Sequence, residues 1–331
     1  GGRTAKTTLL GILALAILIA TSLGSLFIGI RYISLDDIIL SFINYDPNSI
    51  GQMIVQTLRL PRMIAGIVVG ISFAVSGALM QGVTNNPMAS PSVLGINAGA
   101  SFGLAVGMIV FPYLTLNGSI LFSFAGAALA TLFILALAKR VGGKATPVYL
   151  ALAGTAISAV FVAITHMLVV YFQVAQELSF WTAGCISGIR MEQVVLVLPW
   201  TIIGILIAMY VSKSVTLLSF GEEVAIGLGS NLNRVRVLSG LTVLILSGSA
   251  VALAGPIGFV GLVIPHITRK LVGIDYRLVI PFSALFGAVL VMIADVVARI
   301  VNPPFETPLG AITALVGVPF FIYLANRKGG K

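Results

Sequence analysis

Ten apolar runs, separated by short clusters of charge, proline and glycine, set the pattern of the chain. They fall at about 8–30, 62–83, 93–112, 118–138, 147–171, 193–211, 235–255, 258–272, 278–298 and 308–325. A helix needs roughly 20 apolar residues to cross the hydrocarbon core of a bilayer, and most of these runs approach that length. The alternating ten-residue segments of an outer-membrane barrel are missing. The run at 258–272 is short, and only a slight gap parts it from its predecessor. The pattern predicts an all-α, polytopic integral membrane protein with about ten transmembrane helices. Its residues 1–331 are expected to form a single transmembrane domain, with the longest cytoplasmic stretch at 212–233.

Composition makes the membrane reading necessary. Of 331 residues, 58% are hydrophobic and only 9% are charged, with a mean hydropathy of +1.11. A soluble domain carries about 25% charged residues, so this chain cannot clothe a water-soluble enzyme. Nineteen basic against ten acidic residues give a net charge of +9. In a membrane chain that excess reports topology before it reports nucleic acid. With both termini inside, fourteen of the nineteen basic residues face the cytoplasm, including Arg3, Lys139, Lys144, Arg327, Lys328 and Lys331. Only Arg31, Arg59, Arg62, Arg190 and Arg299 face out. The opposite orientation reverses those counts against the positive-inside rule. The first run is too long for a signal-peptide core and is expected to be a retained span.

Candidate chemistry within the spans is sparse. Many of the 36 glycines recur at spacings of three and four, as at Gly66, Gly70 and Gly77, which lets neighbouring helix backbones approach closely. The single cysteine, Cys185, excludes an internal disulfide. His166 and His266 lie in separate spans without clustered carboxylates. His166 is expected to be a hydrogen-bonded core residue, and His266, after Pro265, to mark a kink. Nearly all acids sit in loops or at span ends. Asp295 is the exception, and Arg299 four residues on is placed to pair with it. Gly143-Lys144-Ala145 fails the pattern of a phosphate-cradling loop. No metal or catalytic cluster is indicated, and a pump of this composition must draw energy from a partner.

Several segments form an ordered set. They are Arg59-Leu60-Pro61-Arg62, Ser76-Gly77-Ala78-Leu79-Met80-Gln81, and Asn86-Pro87-Met88-Ala89-Ser90-Pro91. Gly221-Glu222-Glu223-Val224-Ala225 with Leu228-Gly229 follows, then the run from Gly255 to His266. Ala294 to Arg299 and Glu306-Thr307-Pro308-Leu309-Gly310 complete it. From about Arg59 to Asn326 the chain resembles the FecCD-type permeases, the membrane subunits of ABC importers for iron–siderophores, haem and cobalamin. The resemblance implies a ten-span fold with both termini inside a bacterial cytoplasmic membrane. It implies no cofactor and no enzymatic activity of the chain's own. Its partners would be two ATP-binding subunits, an extracytoplasmic substrate-binding protein and a second copy or a similar permease chain, with an iron–siderophore as expected cargo. A stand-alone secondary transporter would carry ionisable residues at mid-membrane, and these are not found.

The resemblance also assigns residues. Arg59, Arg62 and Arg299 match arginines that meet acids on the binding protein. Their alternatives are local pairing with Asp36, Asp37, Asp46 or Glu306, or contact with lipid phosphate. Asn86 and Met88 match the cytoplasmic gate, in a turn whose prolines and asparagines cannot continue a helix. Gly221, Glu222, Glu223, Ala225, Leu228 and Gly229 match the short helix that couples to the ATPase, within the segment 212–233. The stretch from Gln173 to Gly188, with Trp181, matches an outer gate helix, without assignment of individual residues.

Overall fold

The computed structural model describes residues 2–142 and 147–328. Gly143, Lys144, Ala145 and Lys331 lie outside the described residues, as do the side chains of Arg3, Lys139, Arg327 and Lys328. Among the described residues every regular element is helical. Each of the ten apolar runs holds one helix: α1 (Gly2–Phe27), α4 (Leu60–Thr84), α5 (Ile96–Val110), α6 (Leu116–Gly142), α7 (Pro147–Phe172), α9 (Met191–Ser219), α11 (Leu232–Ala254), α12 (Val260–Val272), α13 (Tyr276–Ile300) and α14 (Leu309–Lys328). Seven are long and apolar enough to cross a bilayer, the one containing α4 running from Ile50 to Thr84. The apolar helices Ile96–Val110 and Leu309–Tyr323 fall short of that length, as does the thirteen-residue α12.

Four short helices punctuate the connections: α2 (Leu35–Ile43), α3 (Ile50–Ile54), α8 (Ala175–Thr182) and α10 (Glu222–Gly227). The α2 helix starts at Ser34, whose hydroxyl accepts the Asp37 N–H at 3.1 Å, while Asp36 and Asp37 meet the positive end of its dipole. Between α3 and α4 the chain widens into a π-turn at Val55–Arg59, where the Leu60 N–H reaches back to the Val55 carbonyl. Pro61 has no N–H to continue a regular ladder, which accounts for the widening.

The α4 helix sits at the centre, packed on α13, α11, α12 and α9. In its most apolar window 78% of residues are buried, against 22% for α1 and α7 at the periphery. Small residues make the central position possible. A Cβ on Gly77 would stand 1.8 Å from the Gly261 carbonyl oxygen of α12, and one on Gly70 would stand 2.4 Å from that of Gly287 on α13. Backbone touches backbone at both crossings, as expected for helices that gain most of their attraction from close packing.

Two histidine expectations meet different outcomes. His166 lies on the exposed face of α7 rather than in the core, because that peripheral helix buries few of its positions. His266 packs edge-on against Phe320, with ring centroids 5.6 Å apart. The break in its span falls earlier, at Gly255–Phe259, and α12 continues helically through Pro265.

Adding one methyl at the α4–α12 crossing is expected to be felt throughout the bundle. Overpacking of this kind costs about 1–3 kcal/mol, so Gly77→Ala should lower the thermal midpoint of the detergent-solubilised chain. Gly240→Ala, which meets nothing within 4 Å, should leave it unchanged. Equal midpoints in a dye-based melt would refute the backbone contact.

Candidate functional site

At one end of the bundle, Arg59 from the π-turn before α4 and Arg299 from α13 converge on the last turn of α1. Helix α1 leaves its final carbonyls without partners. The Arg299 Nη1 donates to the carbonyls of Ser25 at 2.7 Å and Ile28 at 3.0 Å. Arg59 donates to the Leu26 carbonyl and, at 2.5 Å, to that of Arg31. Two cations thus cap a helix C-terminus, where the dipole is negative. Behind them Asp295, 1% exposed, bridges two helices. It accepts from Arg62 Nε at 2.9 Å and Nη2 at 2.8 Å, and pairs with Arg299 one helical turn on. Arg62 also reaches Glu306 at 2.7 Å, in the link between α13 and α14.

The three arginines expected at a docking surface are therefore only 6%, 8% and 8% exposed, in the order Arg59, Arg62 and Arg299. Of the local partners weighed from sequence, Glu306 is used. Asp37 bonds instead to Ser49, and Asp46 to Asn48. The cluster itself holds three guanidiniums and two carboxylates, but at this end as a whole Arg31 and Arg190 are outnumbered by Asp36, Asp37, Asp46, Glu177 and Glu192.

The same end gathers the connections around α8. The Cys185 N–H donates to the Ala254 carbonyl at 2.9 Å, and the Gly310 N–H to the Gly184 carbonyl at 3.3 Å. Burial pushes the Cys185 thiol up, so the sole cysteine is a poor nucleophile. Burial also pushes the Glu306 carboxyl up, but hydrogen bonds from Arg62 and Ser187 and the Arg62 charge outweigh it, and its pKa lies below the ordinary glutamate value.

The opposite end carries the segment expected to meet an ATPase. Helix α10 has only six residues, and glycines in left-handed backbone bracket it: Gly221 at φ 121° and Gly229 at φ 83°. Its C-terminus closes with the Ser230 N–H on the Ala225 carbonyl and the Gly229 N–H on that of Ile226, both at 2.9 Å. Ala225 is buried against the bundle, while Val224, Ile226 and Leu228 are exposed. Glu222 pairs with Arg236 of α11, and Glu223 is exposed. The segment therefore presents an apolar edge and one free acid.

Beside it lies the turn that follows α4. Asn86 Oδ1 accepts the Met88 N–H at 2.9 Å, closing a tight turn, with Asn86 exposed and Met88 half-buried. Gln81, one turn earlier, donates to the carbonyls of Gly261 and Leu262 at 3.3 and 3.2 Å and accepts from Arg269 at 2.6 Å. The preceding Asn85 has φ +50° and donates through Nδ2 to the Leu218 carbonyl at 3.0 Å. Sequence reasoning missed Gln81 and Asn85 as connecting residues. The signal present was an Asn-Asn-Pro run, since Asn tolerates left-handed backbone better than most residues.

Fold and ends together define a multi-pass helical membrane protein with the architecture of an ABC importer permease. The nearly full-length likeness to a solved metal-chelate type ABC transporter in an inward-facing conformation carries that class: TM-score 0.84 and 27% identity, covering 96% of this chain and 98% of that one. The chain belongs to the FecCD transport family, whose pattern it matches over residues 14–327. Its members are permease subunits and not themselves enzymes. It is 44% identical to the iron(3+)-hydroxamate import system permease protein FhuB of Bacillus subtilis (strain 168), over 98% of this chain and 85% of that protein. It is 36% identical to the ferric enterobactin transport system permease protein FepD of Escherichia coli (strain K12), over 96% and 94%. It is 39% identical to the cobalamin import system permease protein BtuC of Halobacterium salinarum, over 84% and 74%.

Asp295→Asn should destabilise the chain strongly, because two buried guanidiniums lose their shared counter-charge. Breaking such a pair costs about 3–5 kcal/mol. Glu306→Gln should cost less, since that carboxylate is 31% exposed, and its effect should depend on pH. A carboxyl with a depressed folded pKa stabilises above its unfolded pKa and loses that contribution as pH falls through the folded value. The melting difference between wild type and Glu306→Gln should therefore be full near neutrality and vanish in acid. A difference that does not shrink as pH falls would contradict the assignment.

Proposed function

We propose that the chain is the membrane-spanning subunit of a binding-protein-dependent ABC importer that carries an iron–siderophore into the cytoplasm. The observation that carries this reading is α10: a six-residue helix between two left-handed glycines, with exposed Val224, Ile226 and Leu228, in a chain whose sequence has no phosphate-binding loop. Such an element is shaped to be pushed by another protein. Membership of the FecCD family and relatives named for iron-hydroxamate and enterobactin support the cargo. The relative named for cobalamin supports a second reading, in which the same machine carries a cobalamin.

In this reading two ATP-binding subunits grip two copies of α10, one from this chain and one from a second copy or similar permease. Closure of the ATPase pair moves both coupling elements and changes which side of the shared pathway is open. Asn86 and Met88 form the cytoplasmic constriction, with the Met thioether adaptable enough to close on a bulky cargo. The ten helices cross the membrane with both termini inside, and residues 212–233 face the cytoplasm. The binding protein docks at the opposite end. Arg59, Arg62 and Arg299 act there by shaping the helix ends on which that partner sits.

Uptake of ferric siderophore into proteoliposomes should require a separate ATP-binding subunit, binding protein and ATP. An ion gradient alone driving uptake through this chain would mean a secondary transporter instead. Glu223→Lys should weaken co-purification of the ATPase and slow uptake without lowering the melting point. Glu222→Lys should show an added loss of stability, because it also breaks the bridge to Arg236. Unchanged co-purification in both would assign α10 to the membrane surface.

A further inference from the structure

The turn after α4 and the coupling helix share one atom. The Leu218 carbonyl oxygen, in the last turn of α9, accepts the Gly221 N–H at 3.0 Å, which closes the turn leading into α10. The same oxygen accepts Asn85 Nδ2 at 3.0 Å. Leu218 is 1% exposed and its side chain packs in the main core. Asn85 is the residue before Asn86, in the turn that Asn86 and Met88 close.

A second bond ties the same turn of α9 to a third helix. Thr216 Oγ1 accepts the Tyr276 N–H, the start of α13, at 2.8 Å and donates to Ser212 at 2.9 Å. The end of α9 is thus the hub to which α4, α10 and α13 are each attached by a hydrogen bond. Asn85 is the only side chain among them that leads to the proposed constriction.

We propose that Asn85 is the positioning residue that links the coupling helix to the cytoplasmic gate, through the Asn85–Leu218–Gly221 contact. The inference rests on the permease reading above and adds the connection between its two moving parts. When the ATPase displaces α10, the last turn of α9 moves with it through Gly221, and Asn85 moves the turn that carries Asn86 and Met88. Two features of asparagine are needed at once: a short amide that donates, and tolerance of φ +50°.

Two substitutions separate those features in the reconstituted complex with its ATP-binding subunit and binding protein. Asn85→Gly accepts the left-handed backbone without strain but removes the donor. Asn85→Asp keeps the size and most of the backbone tolerance and also removes the donor. Both should lower ferric siderophore imported per ATP hydrolysed by about fivefold, the shift one ordinary hydrogen bond supports. ATP hydrolysis, subunit assembly and melting point should stay near wild type. Asn85→Gly with wild-type import per ATP would show that only the backbone shape matters, and would overturn the proposal.

Hydrogen exchange on the wild-type complex gives an answer that does not depend on the variants folding. Peptides covering 83–90 and 217–223 should change protection together on ATP binding. A change in the second without the first would overturn the link. A wild-type complex that exchanges as expected but imports nothing with ATP would instead overturn the permease reading.

Discussion

The carboxylate of Asp295 lies between the guanidiniums of Arg62 and Arg299, almost out of contact with solvent. Charges in a low-dielectric interior are costly alone and strongly attractive in good geometry. That pairing lets two cations stand inside the bundle, and from there Arg299, with Arg59 beside it, reaches the unsatisfied carbonyls that end α1. Lipid offers no partner for such groups. One buried acid thereby fixes the ends of α1, α4 and α13, and through Glu306 the entry to α14.

The other end works by different means. There hydrogen bonds to backbone at Leu218, Gly261 and Leu262, the exposed Glu222–Arg236 pair and left-handed residues set the joints. Ion pairs among buried groups resist motion. Isolated hydrogen bonds and glycine-flanked helices shift at modest cost. Buried ion pairs close the end with Asp295, while hydrogen bonds and glycine-flanked backbone join α10 to the core.

Much of the fold could be read from the chain. Every apolar run holds a helix, because a stretch that must satisfy its backbone inside a bilayer has little choice but to be helical. The short α2 and α3 are not legible as helices in the sequence, since they have only nine and five residues and depend on caps and neighbours, whereas α8 falls within the stretch Gln173–Gly188 that resembles a gate helix. Helix α10 was legible from its two glycines and paired glutamates. The arginines were found but their surroundings were not. A cation at the end of a span looks the same in sequence whether it faces lipid, a partner or another helix. Asp295 to Arg299 is one helical turn and could be anticipated. Arg62 to Asp295 spans 233 residues and could not.

The capping of α1 also bears on how the protein is made. Synthesis delivers the N-terminal helix first, yet the groups that complete its end arrive with Arg59 and, much later, Arg299, 274 residues after the Ser25 carbonyl they serve. Until α13 has entered the membrane, α1 is a span with an open end and α4 holds an uncompensated Arg62. Insertion is therefore only a provisional stage for the early helices. Arg62, near the start of α4, finds both its carboxylates only in residues that follow it by more than 230 positions.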